Sequence, residues 1–374
     1  MIGLYAHIPF CEKKCHYCNF VITRTGDGAK ESRFLDLFEK EITYRAPALR
    51  GRKLSTLYLG GGTPSVLSER ELGRVFGAIR AQFLFIPSAE VTIETNPGDM
   101  TASKARLLKK LGVTRVSLGA QTFHDRTLTA INRAHNAADI HRSYEALRTA
   151  GIDNINLDLM LSLPGETEED LAYSLKMLQK LNPEHVSIYE LVIEDKTVFG
   201  KRVERGRLDL PEESLQIRML SMARGFLEKH GWKSYELLNY AKKGYESRHN
   251  RLYWKNEEYV GLGPGAYMYI DGRRSRYAAS FDDYVRKATA GDWMDDESEI
   301  LTPAKKEAES FLLALRTREG ADLRKFSKYL SQVEKTTSDF FEKGWLSKNK
   351  THLKLSSQGK FFAESIFSGY SLPD

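Results

Sequence analysis

Short runs of β-branched and apolar residues recur along the first half of the chain, separated by stretches whose apolar residues return every three or four positions. "GLYAHIP" (3–9), "LSTLYLG" (54–60), "EVTIET" (90–95), "TRVSLGA" (114–120), "NINLDLML" (154–161) and "HVSIYELV" (185–192) read as strands. Between them, Phe34, Leu35, Leu37, Phe38 and Ile42 share one helical face, and Leu72, Val75, Phe76 and Ile79 share another. Ser68, with Glu71 three positions later, predicts a capping box. Thr101 caps a further helix carrying Leu107, Leu108 and Leu111, and Gly112 and Gly151 stand where helices should stop.

Six strands alternating with helices predict a parallel sheet, since every crossover must carry a helix over the sheet face. The chemically unusual residues, Cys11 to Cys18, Gly60 to Gly62, Glu94, Gln121 and Asp158, fall at or near the C-terminal halves of many different strands. A barrel gathers its site in that way, whereas an open doubly wound sheet concentrates it at one switch point. The expectation is an α/β fold with a partial barrel over residues 1–300, of which 200–300 form an extension. Within that extension, "EESLQIRMLSMARGFLEKHG" (212–231) reads as a long amphipathic helix. "WKSYELLNYA" (232–241) reads as one strand and "YVGLGPGAYMYIDG" (259–272) as a glycine-rich turn region. Residues 301–374 read as a small, mostly helical, winged-helix-like domain.

Composition narrows the setting. With 374 residues, 41% of them hydrophobic, the chain can build a large core without disulfides. It holds three cysteines, all within eight residues, which is no extracellular disulfide framework. The net charge of +6 comes from 56 basic and 50 acidic residues, well interspersed, too diffuse a surplus to imply nucleic acid. "MIGLYAHIPF" lacks the features of a secretion signal, and no apolar run approaches the ~20 residues that span a bilayer. A cytoplasmic location is expected.

The three cysteines, in "CEKKCHYCNF" (11–20), are separated by three residues and then two. Three thiolates on one loop can converge on an inorganic centre. Zinc wants four ligands, which His7 or His16 could complete. Three ordinary reduced cysteines are another reading. A cubane [4Fe–4S] cluster normally takes four cysteines, so three leave one iron with an open position.

The C-x-x-x-C-x-x-C loop after a first strand resembles that of the radical S-adenosylmethionine (SAM) enzymes. The resemblance implies a partial (β/α)6 barrel and a [4Fe–4S] cluster on Cys11, Cys15 and Cys18. It also implies SAM chelated at the open iron and cleaved to a 5′-deoxyadenosyl radical by one electron, which an electron donor must supply. "GGGTPS" matches the segment that lies along the methionine part of SAM, which carries that role to Gly61, Gly62 and Thr63. Glu94, Gln121 and Asp158 would form a ring of acceptors for ribose hydroxyls and an ammonium, and Arg133 would pair with the methionine carboxylate. Tyr5 and Tyr17 match aromatic positions near the cofactor, and Val192 and "GLGPGA" (261–266) fall where contacts to the adenine end are expected.

"YAHIPFC", "YLGGGTPS", "NPGDMT", "SLGAQTF" and "LDLMLSLPGET" are similar to one branch, which holds oxygen-independent coproporphyrinogen III oxidases (HemN) and HemW-type haem chaperones. The oxidases carry a further cysteine two residues after the last ligand, where this chain has Phe20. The chaperones carry H-N-x-x-Y-W, here His249, Asn250, Tyr253 and Trp254. The resemblance therefore implies a protein that holds haem and passes it to acceptor haemoproteins. His249 is the candidate axial ligand, with Arg248 and Arg251 placed to meet propionates.

Overall fold

The computed structural model describes residues 1–373. Six strands, β1 (Ile2–Ile8), β2 (Lys53–Gly61), β3 (Leu84–Thr95), β4 (Arg115–Gln121), β5 (Ile155–Leu161) and β6 (His185–Glu190), pair in chain order, each parallel to the next. The longer helices between them are α1 (Gly28–Arg45), α2 (Glu69–Gln82), α3 (Ala102–Lys110), α4 (Ala137–Thr149) and α5 (Glu168–Leu181). Ser68 and Glu71 form the expected capping box on α2, and Asn136 with Asp139 and Thr167 with Asp170 repeat it on α4 and α5. Gly112 and Gly151 end α3 and α4 in the left-handed region, at φ 76° and 79°.

The sheet continues past both ends of this set. Beyond β6 lies a hairpin of β7 (Lys233–Ser234) and β8 (Asn239–Ala241), antiparallel to it. "WKSYELLNYA" is thus two strands, not one. The Glu236 carboxylate accepts the Leu238 amide at 2.9 Å and folds the middle of the segment into a turn. Beyond β1 lies β9 (Tyr259–Leu262), parallel to it, with Gly3 opposite Tyr259 and Ala6 opposite Leu262. β10 (Tyr267–Ile270), β11 (Arg273–Arg276) and β12 (Glu297–Ile300) follow antiparallel. The result is one sheet of twelve strands, β12-β11-β10-β9-β1-β2-β3-β4-β5-β6-β8-β7, with the six parallel strands of the expected partial barrel at its centre; among the described residues its outer strands do not pair with each other. The "glycine-rich turn" is therefore half strand. Val260 and Leu262 are buried beside β1.

Helices and sheet close over a core that includes Phe34, Phe38, Leu72, Phe76 and Ile79, all buried, each contributing about 2 kcal/mol of apolar burial. α6 (Glu213–Lys229) adds Met219, Leu220, Ala223 and Leu227 to the same core. α7 (Arg248–Trp254) packs across the end of the barrel where the strands begin, and α8 (Phe281–Thr289) lies against α1. A second core gathers α9 (Pro303–Leu315), α10 (Glu334–Glu342) and the three-stranded sheet of β13 (Ala321–Asp322), β14 (Leu346–Lys348) and β15 (His352–Leu355). Leu237, from the β7–β8 turn, belongs to this second core and ties the two together. Among the described residues no helix is long and apolar enough to cross a membrane.

Candidate functional site

At the C-terminal ends of the parallel strands lies a cavity of about 480 Å³. Cys11, Cys15 and Cys18 line one side of it, and Glu94, Gln121, Asp158 and Val192 line others. The cysteine loop is pinned by backbone bonds at both ends. The Gly62 amide donates to Ile8 O at 2.9 Å, Thr63 to Phe10 O at 2.7 Å and Thr25 to Cys11 O at 3.0 Å. Across the loop, the His16 amide donates to Ile131 O at 3.1 Å and the Asn132 side chain to Lys14 O at 2.8 Å.

These bonds change the reading of "GGGTPS". The Gly61, Gly62 and Thr63 amides are already engaged, Gly61 by Glu94 Oε2 at 3.0 Å, so they offer no free donors to a ligand. The glycines are required by packing. A Cβ at Gly61 would meet the His7 ring at 2.4 Å, and one at Gly62 would meet Phe10 O at 2.6 Å. Gly61 also sits at φ 103°. All three residues line the cavity, with the Thr63 hydroxyl 3.4 Å from Cys11 Sγ and 3.1 Å from Asn96 Nδ2.

The Cys11 thiol is costly to ionise where it stands. Burial, with repulsion from Cys18 and Cys15, pushes the Cys11 thiol up to about 12 despite the Thr63 hydroxyl and Arg133. A bound metal centre removes that penalty, because its charge stabilises the thiolates. Arg133 donates to Asn96 Oδ1 at 2.6 Å, Gly119 O at 2.7 Å and Cys15 Sγ at 3.5 Å. Burial opposes its charge, but Tyr17 and Cys15 outweigh burial and hold its pKa above the ordinary value. Its Nε has no hydrogen-bond partner within the chain. Burial, and the nearby Asp158, raise Glu94 to about 7 against the Tyr58 and Gly61 hydrogen bonds. Burial also raises Asp158, which accepts from Ser117 Oγ at 3.1 Å and Asn156 Nδ2 at 2.7 Å. Gln121 holds φ 67° at the end of β4, an uncommon conformation for that residue.

Of the two candidate fourth zinc ligands, His7 has both ring nitrogens engaged, whereas His16 uses only Nδ1. His7 is held by Val21 O at 2.7 Å and the Tyr5 hydroxyl at 3.1 Å, and His16 bonds Ala130 O at 3.0 Å. Among the described residues no group of three or more His, Cys, Asp and Glu is gathered closely enough to share one ion. Three thiols around a cavity suit a multi-iron cluster, in which each sulfur takes a different metal, better than a single zinc.

Tyr17 lines the cavity, but Tyr5 does not. It packs against Tyr58 at a centroid distance of 6.1 Å, one layer deeper in the barrel. "GLGPGA" also lies outside the lining, where the buried Glu41 accepts the Gly263 amide at 2.9 Å. His249, expected as a metal ligand, has both ring nitrogens bonded, Nδ1 with Thr56 Oγ1 at 2.8 Å and Nε2 with the Tyr253 hydroxyl at 3.0 Å. It is 1% exposed and offers no free lone pair. Asn250 has its amide capped by Ser247 Oγ at 3.2 Å. Trp254 turns the other way, into a second cavity of about 410 Å³ lined also by Tyr235, Arg251, Lys325, Phe326 and His352. Its indole Nε1 has no partner.

Sequence reasoning missed Asn96, which joins Arg133 to Thr63, and Gly119, whose missing side chain leaves room for the Arg133 guanidinium 3.0 Å from where a Cβ would stand. It also missed Tyr189 and Met160 in the lining. Asn96 had a signal, since it stands two residues from Glu94 in the string "IETNPG" and period-2 alternation puts both on one face. Met160 had the same signal, two residues from Asp158 on β5, whereas Tyr189 had none.

Residues 5–178 match the family model of the radical SAM superfamily. A heme chaperone HemW from Bacillus subtilis is 36% identical to this chain, over 99% of each, and one from Lactococcus lactis is 34% identical, over 99% of this chain and 97% of its own. Among solved structures, coproporphyrinogen III oxidase (HemN) from Escherichia coli, described as a radical SAM enzyme, superposes with a TM-score of 0.87 at 22% identity. That match covers 99% of this chain and 89% of the oxidase.

Proposed function

Because this chain belongs to the HemW family of the radical SAM superfamily, we propose that it is a haem-holding protein that passes haem to acceptor haemoproteins. In this reading it carries a [4Fe–4S] cluster on Cys11, Cys15 and Cys18 and binds SAM in the cavity above them. The observation that carries the reading is the cavity itself, where three cysteines, a buried arginine and two carboxylates line one space of about 480 Å³. That volume suits a nucleotide-sized ligand.

When bound, the cluster supplies one-electron chemistry at an iron that the chain leaves without a fourth sulfur. The protein's own part is positioning. Arg133, fixed by Asn96 and Gly119, would pair with a carboxylate of the ligand. Glu94 and Asp158, raised by burial, accept hydroxyl or ammonium donors. Tyr17 and Val192 cover apolar surface at the rim. Phe20, 68% exposed at the mouth, stands where the oxidases have a further cysteine. Haem contacts rest on Trp254 and Arg251, which face the second cavity, and not on His249. The aromatic wall and the cations Arg251 and Lys325 suit a flat apolar plate bearing propionates.

Anaerobically reconstituted protein should contain iron and sulfide and no stoichiometric zinc, and should show a Soret shift saturating near one haemin per chain. It should not convert coproporphyrinogen III to protoporphyrinogen. Conversion at an enzymatic rate would instead assign the chain to the oxidases.

A further inference from the structure

We propose that α7, the helix carrying "HNRLYW", is the floor of the barrel, and that His249 and Tyr58 are positioning residues for the carboxylates of the upper cavity. The proposal rests on the reading that SAM occupies that cavity.

Two columns of side chains run from the helix to the cavity. In the first, the Tyr253 hydroxyl bonds His249 Nε2 and Thr56 Oγ1 bonds Nδ1, fixing the imidazole from both sides. The fixed ring lies 5.0 Å from the ring of Tyr58, centroid to centroid, and the Tyr58 hydroxyl donates to Glu94 Oε1 at 2.8 Å. In the second, the Ser247 amide donates to the Tyr235 hydroxyl at 3.3 Å, which bonds His185 Nε2 at 2.8 Å. His185 Nδ1 bonds Asn156 Oδ1 at 2.6 Å, and Asn156 Nδ2 donates to Asp158 Oδ1 at 2.7 Å. One short helix thus sits behind both carboxylates.

The helix is itself held tightly. Glu90 accepts the amides of Arg248 and His249 at 3.1 and 3.0 Å, satisfying two donors that a helix start leaves open. Gly3 on β1 makes the approach possible, because a Cβ there would stand 2.8 Å from Leu252 and 3.3 Å from the His249 ring. Burial keeps His249 neutral, lowering its pKa to about 3, so the ring acts through shape and hydrogen bonds and not through charge. Glu94 takes the Tyr58 hydroxyl on one oxygen and the Gly61 amide on the other. A tilt of Tyr58 would therefore re-aim the carboxylate. This accounts for a histidine, a tyrosine and their spacing in the motif without any contact to haem.

The test uses the full chain, reconstituted anaerobically, with SAM affinity measured by equilibrium dialysis and haemin affinity by Soret titration. Tyr58→Phe keeps the ring stack and deletes the donor to Glu94. His249→Asn removes the ring beneath Tyr58, and His249→Phe restores a ring there. The first two should weaken SAM at least about tenfold, the loss expected for a hydrogen bond to a charged group. Haemin affinity should stay unchanged, and His249→Phe should recover most of the SAM affinity. Unchanged SAM affinity in Tyr58→Phe and His249→Asn overturns the proposal, as does loss of haemin binding in His249→Phe. Failure of the unaltered protein to bind SAM would instead bring down the reading of the upper cavity, and this proposal with it.

Discussion

Replacing Gly62 by alanine tests what attaches the cysteine loop to the sheet. An added Cβ would stand 2.6 Å from Phe10 O, 2.8 Å from Ile8 O and 2.9 Å from Phe10 N, all backbone atoms that cannot rotate away. The loop must move, and in moving it stretches the Gly62-to-Ile8 and Thr63-to-Phe10 bonds. Overpacking of this kind costs about 1–3 kcal/mol and the two weakened bonds about 1 kcal/mol each, so a destabilisation of about 4 kcal/mol is expected. Gly73 and Gly77, on α2, are the internal controls. A Cβ at either meets nothing within 4 Å, so Ala there should stabilise by up to about 1 kcal/mol through helix propensity. Urea unfolding of the apoprotein under anaerobic conditions, followed by circular dichroism, reads both signs. Iron and sulfide content after reconstitution reads the loop directly and should fall for Gly62→Ala alone. The packing argument is refuted if Gly62→Ala unfolds at the unaltered protein's midpoint and takes up a full complement of iron.

Arg133→Lys should weaken SAM by at least about tenfold, since one ammonium cannot reach Asn96 Oδ1 and Gly119 O as the guanidinium fork does; equilibrium dialysis decides it. Glu41 is buried with its pKa raised to about 7, chiefly by desolvation. The folded state therefore holds a proton that the unfolded state gives up near pH 4.5. The stability tied to Glu41 is present in full below that pH and lost as pH rises through 7. Glu41→Gln should match the unaltered protein at pH 4 and exceed it at pH 8 by up to about 3 kcal/mol in urea titrations of the apoprotein. Cys15→Ser should abolish most iron binding yet leave the apoprotein's melting temperature nearly unchanged, because Cys15 lies outside the main core.

The helical faces and caps of the first 200 residues were legible because their signals are local. Ser68 and Glu71 are three residues apart, and Phe34, Phe38 and Ile42 follow one turn after another. The cysteine loop was legible for the same reason. What stayed hidden depends on distant pairing. β9 has four residues and finds β1 some 250 residues away, which no periodicity announces. Alternation along β1 shows that Tyr5 and His7 point to one side, but not that this side is layered, with Tyr5 a step below the cavity. The motif around His249 was visible as a string, yet its meaning turns on Thr56, Tyr58 and Gly3, none of which is near it in sequence. The glycines were noticed, but a chain read in one dimension cannot show that His7 stands against Gly61.

The sheet's failure to close has a mechanical meaning. A complete barrel has its girth dictated by strand number and stagger, so its entrance is rigid. Here the outermost strands are only two and four residues long, and among the described residues no strand pairing joins them. Spreading or narrowing the gap between those strands would break no rung of the ladder.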